Sequence, residues 1–192
     1  MTNNTFYMNI EIVKSKRKTL SIQVLDSKTV RVRAPYRMSK KDIQSYIDKN
    51  EEWIRDKIEK AKEREKEIEG IRCLSELELD ELADKACEVI TKRVEYYAPQ
   101  VGVTYGRITI RNQKTRWGSC SAKGNLNFNV ALMRVPLDVM DYVVVHELCH
   151  RLYLDHSKDF WNEVAKFIPD YKSKEKWLKE NGTKILAETR GL

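Results

Sequence analysis

The 192 residues, 41% hydrophobic and 34% charged, can bury a core without disulfide staples, and no apolar run approaches the ~20 residues that span a bilayer. The formal net charge of +7 is uneven, since residues 1–41 hold ten Lys/Arg and two Asp/Glu and the remainder is close to neutral. Cys73, Cys87, Cys120 and Cys149 form no C-x-x-C pair and residues 1–5 lack a basic region followed by an apolar one, so a disulfide scaffold and an export signal are both unexpected and a cytoplasmic location is expected.

The first element is β-structure over residues 8–34. Ile10 and Ile12, then Leu20, Ile22 and Val24, then Val30 and Val32 alternate with polar residues at the period of a half-buried strand. Asp26-Ser27-Lys28 reads as the hairpin turn between the last two runs. The lysines and arginines here have two readings. They can be a solvated strand surface that resists edge aggregation, or a patch that meets nucleic acid or an acidic partner.

Pro35 ends the sheet, and Ser39 with Asp42 marks a helix start. Ile43, Tyr46, Ile47, Trp53, Ile54 and Ile58 follow at helical spacing as one stripe, fading into the charged run 59–66 and Gly70. Ser75 and Glu78 form a second capping box. Leu79, Leu82, Ala83, Ala86, Ile90, Val94 and Tyr97 then line one helix face, which Pro99 is expected to stop. Residues 107–111 and 125–133 read as strands with Lys123-Gly124-Asn125 as a turn. Pro136 suits a first helical turn. The division expected is 1–70, a basic strand-and-helix region, and 71–192, the region that carries the chemistry.

That chemistry lies in His146-Glu147-Leu148-Cys149-His150, an H-E-x-x-H. Three valines before it favour a strand by propensity, but the His–Glu spacing needs a helix. On an α-helix, residues i and i+4 differ by about 40° around the axis and about 6 Å along it, so His146 and His150 reach one metal. Glu147, about 100° further round, is placed for a water that the metal polarises. A catalytic zinc takes three protein ligands, and His156 is the natural third. A continuous helix would carry it about 240° round from His150, so the chain must break and turn back. Asp155, His156 and Ser157 suit that turn, with a new helix near Lys158 packing Phe160, Trp161, Val164 and Phe167 inward. All three histidines of the chain fall in this stretch. Glu163 is the alternative third ligand, and Cys149 points to neither histidine. The spacing His146, His150, His156 also matches a metzincin, but Tyr153 occupies the glycine position and no methionine follows Met140.

Arg116-Trp117-Gly118-Ser119-Cys120-Ser121, then Asn125 to Leu132, His146 to His156 and Ser157-Lys158-Asp159-Phe160-Trp161 resemble the YgjP-like metallopeptidases. The resemblance also takes in the basic N-terminal strands and Trp53-Ile54. It implies an α+β fold: N-terminal strands and helix, then a minimal gluzincin-like zinc peptidase domain whose antiparallel or mixed sheet packs on the H-E-x-x-H helix. It further implies one Zn2+ per chain held by His146, His150 and His156, with Glu147 as general base in a zinc endopeptidase acting on a peptide or protein. The His-x-x-x-Phe/Trp tail is locally similar to Spartan and WLM-type proteases, which cut proteins crosslinked to DNA. By resemblance, the strand Leu126 to Leu132 is expected to pair with extended substrate. Arg116 and Tyr153 are expected as donors to the developing oxyanion or as ordinary surface and core groups, and Trp117 and Trp161 as core. The competing function is a zinc-stabilised module that binds nucleic acid or a partner through the basic N-terminus, or a protease recruited to DNA-bound proteins. No membrane contact is expected, and a monomer is the default.

Overall fold

The structure is a computed structural model that describes residues 8–190. The expectation about residues 1–5 lies outside them. The chain divides into two compact units, Met1–Glu69 and Gly70–Leu192. Each holds a three-stranded mixed sheet and helices, so the expected α+β class is the one observed.

In the first unit, β1 (Asn9–Ser15), β2 (Ser21–Val24) and β3 (Thr29–Pro35) stand in the order β1-β3-β2. β2 and β3 are the expected hairpin, antiparallel with Val24 opposite Val30. Asp26 closes the turn by accepting from the backbone N–H groups of Lys28 and Thr29 at 2.8 and 2.7 Å. β1 lies parallel to β3 on its other side. The alternation in β3 puts Val30, Val32 and Ala34 on one face, all fully buried. That face meets Ile43 and Ile47 of α1 (Lys40–Lys49) and Ile54 and Ile58 of α2 (Glu51–Glu67).

The single stripe expected from Ile43 to Ile58 is two helices. Asn50 interrupts it at φ −111°, ψ 14°, with its side-chain amide donating to the Tyr46 carbonyl at 2.7 Å. A short amide that competes for backbone groups in this way is a poor helix interior and a good boundary.

The second unit begins with α3 (Glu76–Val101), whose capping box is complete: the Ser75 hydroxyl accepts from Glu78 N–H, and the Glu78 carboxylate accepts from Ser75 N–H at 2.8 Å. Pro99 does not stop this helix but sits in its last turn. The end comes at Gly102, φ +74°, where Val103 N–H reaches back to the Ala98 carbonyl at 3.0 Å. A left-handed glycine closes a helix at little cost, whereas a proline near the end removes only one backbone bond.

β4 (Ile108–Arg111), β5 (Gly118–Cys120) and β6 (Leu126–Asn129) form the second sheet in the order β4-β6-β5, β4 parallel and β5 antiparallel to β6. The strand expected at 125–133 is shorter, because the chain winds into a 3-10 turn over Val130–Arg134. β6 is also central, hydrogen-bonded on both sides, so it has no free edge for substrate. The free edge beside the H-E-x-x-H helix belongs to β5, three residues that periodicity cannot resolve.

The helix in question is α4 (Leu137–Cys149). Ten of its residues are buried, so it is apolar nearly all round and needs neighbours on every side. It packs against α3, β5, α5 (Lys158–Phe167) and α6 (Tyr171–Glu188). Arg93 of α3 grips Asp141 of α4 in a two-pronged pair, both contacts at 2.6 Å, with Tyr97 adding a third bond at 3.2 Å. No helix among the described residues is long and apolar enough to cross a membrane.

Candidate metal centre

Near the C-terminal end of α4, helical spacing puts His146 and His150 at the partly exposed edge of an otherwise buried helix, with Glu147 buried beside them. The helix ends at Cys149, and His150 is its cap. The next residues turn back through backbone bonds from Arg151, Leu152 and Tyr153 to Leu148 and Cys149. α5 then starts at its cap Ser157, whose hydroxyl accepts from Phe160 N–H. This reversal carries His156 back over the helix end. One ring nitrogen from each of His146, His150 and His156 lies within 4.8 Å of the others, and His146 Nε2 and His156 Nε2 are 3.0 Å apart.

Burial lowers the His146 pKa to about 3, with the neighbouring His150 and His156 adding to the fall. His150 is lowered by burial too, opposed by its bond to a carbonyl. The His146 and His150 rings, held below their ordinary values, are therefore neutral near pH 7 and carry lone pairs. The facing nitrogens of His146 and His156, 3.0 Å apart, need a proton or cation between them. A tetrahedral zinc at about 2.0–2.1 Å from each nitrogen separates its ligands by about 3.3 Å, close to the 3.0 Å between His146 and His156. The His150 Nδ1 faces the Tyr153 carbonyl at 3.0 Å; donating there leaves the other nitrogen free for the cluster, the usual support of a metal-binding histidine. The donor set fits a divalent cation.

Glu147 does not join the three rings. The residue is 5% exposed, and burial raises its pKa to about 8 against the pull of the Cys120 N–H. One carboxylate oxygen, Oε2, has no hydrogen-bond partner, and neither has the buried His146 Nδ1. Glu163, the alternative ligand, stays outside the cluster: its carboxylate accepts from Lys166 Nζ at 2.5 Å. Cys149 is fully buried and its thiol is pushed up to about 12 by that burial.

Several residues that shape this centre are inconspicuous in the sequence. Phe160 stacks on His150 with centroids 4.6 Å apart. Trp161, expected in the core, stacks on His156 at 5.6 Å and on Tyr171 at 4.9 Å. A Cβ at Gly118 would lie 2.7 Å from Glu147 Oε1 and 2.8 Å from its Cγ, so β5 approaches the glutamate as only a glycine permits. A glycine within a strand is the signal that could have exposed this contact. Asn129, 1% exposed, donates to the carbonyls of Gln113 and Arg116 at 2.8 and 2.7 Å and accepts from Ala131 N–H. It clamps the loop that leads into β5.

Strand pairing decides which way β5 faces. Asn129 N–H bonds the Trp117 carbonyl and Ser121 N–H the Asn125 carbonyl. In an antiparallel pair the bonds alternate, so the backbone groups of Gly118 and Cys120 point away from β6, toward the cleft. Two cavities meet there, of about 280 and 290 Å³, sharing Arg116, Gly118, His146 and Glu147. Cys120, Leu154, His150 and His156 line the second. The side chain of Tyr153 lines neither.

Residues 18–81 and 75–181 match the YgjP-like metallopeptidase domain. The chain belongs to the YgjP-like metallopeptidase family. Its peptidase character and its need for a metal ion come with that membership, and the three-histidine centre is where this YgjP-like chain can place one. Among solved structures it is similar to the metallopeptidase zymogen abylysin of Pyrococcus abyssi, 24% identical, over 48% of this chain and 94% of that one, with a TM-score of 0.44. The metallopeptidase zymogen jannalysin of Methanocaldococcus jannaschii is 19% identical, over 48% and 95% of the two chains, also at 0.44. No curated protein matches the chain.

Proposed function

We propose that this YgjP-like protein is a zinc endopeptidase in which His146, His150 and His156 hold the metal and Glu147 is the general base. The observation that carries it is the convergence of three imidazoles beside a buried, half-unpartnered carboxylate. Bound there, zinc supplies a Lewis acid that polarises the scissile carbonyl and makes water a nucleophile near neutral pH.

The chain's own residues do the rest. Glu147 Oε2, with no competing partner, accepts the proton of the attacking water and returns it to the leaving amine; burial makes it a stronger base than an exposed glutamate. The Cys120 N–H holds the carboxylate's orientation, and the bare Cα of Gly118 leaves it room. The remaining outward groups of β5, the Gly118 N–H and the carbonyls of Gly118 and Cys120, offer an extended peptide a partner strand. Arg116 borders both cavities and makes no ion pair among the described residues, so it is placed to meet the carbonyl oxygen as charge develops.

The test joins metal content with cleavage. Wild type is expected to hold near one zinc per chain and to cleave an unfolded protein such as casein. His156→Ala loses the zinc, Glu163→Ala keeps it, and Glu147→Gln keeps it while turnover falls about 10²–10⁴-fold. A wild-type chain without zinc overturns the assignment.

A second role rests on the first unit. Arg33 is exposed on the sheet face opposite the buried valines, beside Arg31, whose guanidinium already pairs with Glu11 at 2.9 Å. Contact of this face with nucleic acid or an acidic partner is read by salt-dependent binding of the intact chain, weakened by Arg33→Glu.

A further inference from the structure

The cavity of about 280 Å³ beside the histidines is walled by Trp117, Tyr142, Val143 and Leu178. An apolar cavity of about 150 Å³ already holds a benzene ring, so this one has room for an aromatic or large aliphatic side chain. The walls are drawn from three places: the residue before β5, the face of α4 one turn ahead of His146, and α6. Trp117 packs directly onto α6, where a Cβ at Gly182 would stand 2.9 Å from the indole. Arg116 and Glu175, which also line the cavity, carry opposite charges, which leaves selection to the apolar walls. The cavity is continuous with the metal centre, because His146, Glu147 and Gly118 line it together with the neighbouring cavity that holds His150 and His156. A peptide laid along the outward backbone of β5 therefore places one side chain here when its scissile bond is at Glu147.

We propose that this cavity is a specificity pocket that receives a bulky apolar side chain, aromatic or leucine-sized, from the residue next to the scissile bond, with Trp117 and Leu178 setting its size. The proposal rests on the peptidase reading above and names the substrate class that reading leaves open: extended segments with an exposed large apolar residue, as unfolded proteins present.

The test measures binding apart from turnover. Two capped peptides, identical except for Phe or Gly at one position, are titrated calorimetrically into the zinc-loaded full chain carrying Glu147→Gln. The Phe peptide is expected to bind at least about tenfold more tightly. Leu178→Trp in the same background fills the pocket and abolishes that preference. Leu178→Ala, which keeps α6 helical and guards against a misfolded tryptophan variant, shifts the preference from Phe to Trp. Equal binding of the Phe and Gly peptides, or a preference that neither Leu178 variant moves, overturns the pocket. Cleavage by the Glu147-intact chain separates the two ideas. Cuts at bonds with no large apolar neighbour overturn the pocket and keep the peptidase; Phe-selective binding without any cleavage keeps the pocket and overturns the peptidase.

Discussion

Glu147 and Gly118 are a pair in which one residue's function depends on what the other lacks. Gly118 has an ordinary backbone conformation, since the positive-φ glycines are Gly70, Gly102 and Gly124. An alanine there is free of backbone strain. Its methyl would nonetheless lie 2.7 Å from the Glu147 carboxylate, nearer than a real Cβ sits to any neighbour. The flexible end of the glutamate yields first. Gly118→Ala is therefore expected to fold and to keep its metal while cleavage falls about 10²-fold, the cost of misplacing a reacting group by about 1 Å. Zinc content and a melting curve beside the cleavage assay check this, and an alanine variant with full turnover defeats it. The H-E-x-x-H spacing marked Glu147, His146 and His150 because a helix repeats every 3.6 residues. Gly118 carries no such mark, because its meaning lies in a residue 29 positions later.

At the scale of elements, the capping box of α3 shows how local rules survive into the fold. Arg72 adds an ion pair to Glu78 at 2.9 Å. The backbone N–H of Ser75, its hydroxyl and the Arg72 guanidinium hold the Glu78 carboxyl down at about 2. Losing the cap by Ser75→Ala is expected to cost about 1 kcal/mol. The charge adds a pH signature. A carboxyl depressed from the ordinary glutamate value contributes stability that is present above pH 4.5 and is lost as the pH falls through about 2. The gap in melting temperature between wild type and Glu78→Gln should therefore be widest at neutral pH and narrow steadily in acid; a constant gap counts against the box. The caps of α1, α3 and α5 were all legible, as each is a matter of three or four adjacent residues. Where Pro99 and Asn50 act was not. A proline ends a helix only if nothing beyond it closes the helix better, and the glycine at 102 does. The apolar stripe that runs past Asn50 belongs to two helices that meet the same sheet face.

At the scale of the molecule, the proposed metal centre lies wholly within Gly70–Leu192, and Met1–Glu69 has a core of its own. A ligand stabilises only the folded unit that binds it, by about 4 kcal/mol when present at 1,000 times its dissociation constant. Calorimetric melting with and without a strong chelator is expected to move the transition of the second unit downward and leave that of the first in place. A chelator that shifts neither transition would show that the three histidines hold no metal.

What the sequence determined by itself was whatever depends on neighbours along the chain: the alternating strands of the first unit, the hairpin at Asp26, the helix caps, and the need for the chain to turn back between His150 and His156. Between His156 and Glu163 as third ligand the sequence left the choice open; the structure brings His156 to the other two histidines and gives Glu163 to Lys166. Tertiary structure alone decided the rest. β6 has the cleaner alternation and is buried in the middle of its sheet, while three-residue β5, too short to show a period, holds the edge that faces Glu147. Edge or centre depends on which strands find each other, and pairing is a contact between residues far apart in sequence. The stacking of Phe160 and Trp161 on the histidines, the clamp of Asn129 on the loop before β5 and the pocket between Trp117 and Leu178 arise in the same way, from segments that only the packed core brings together.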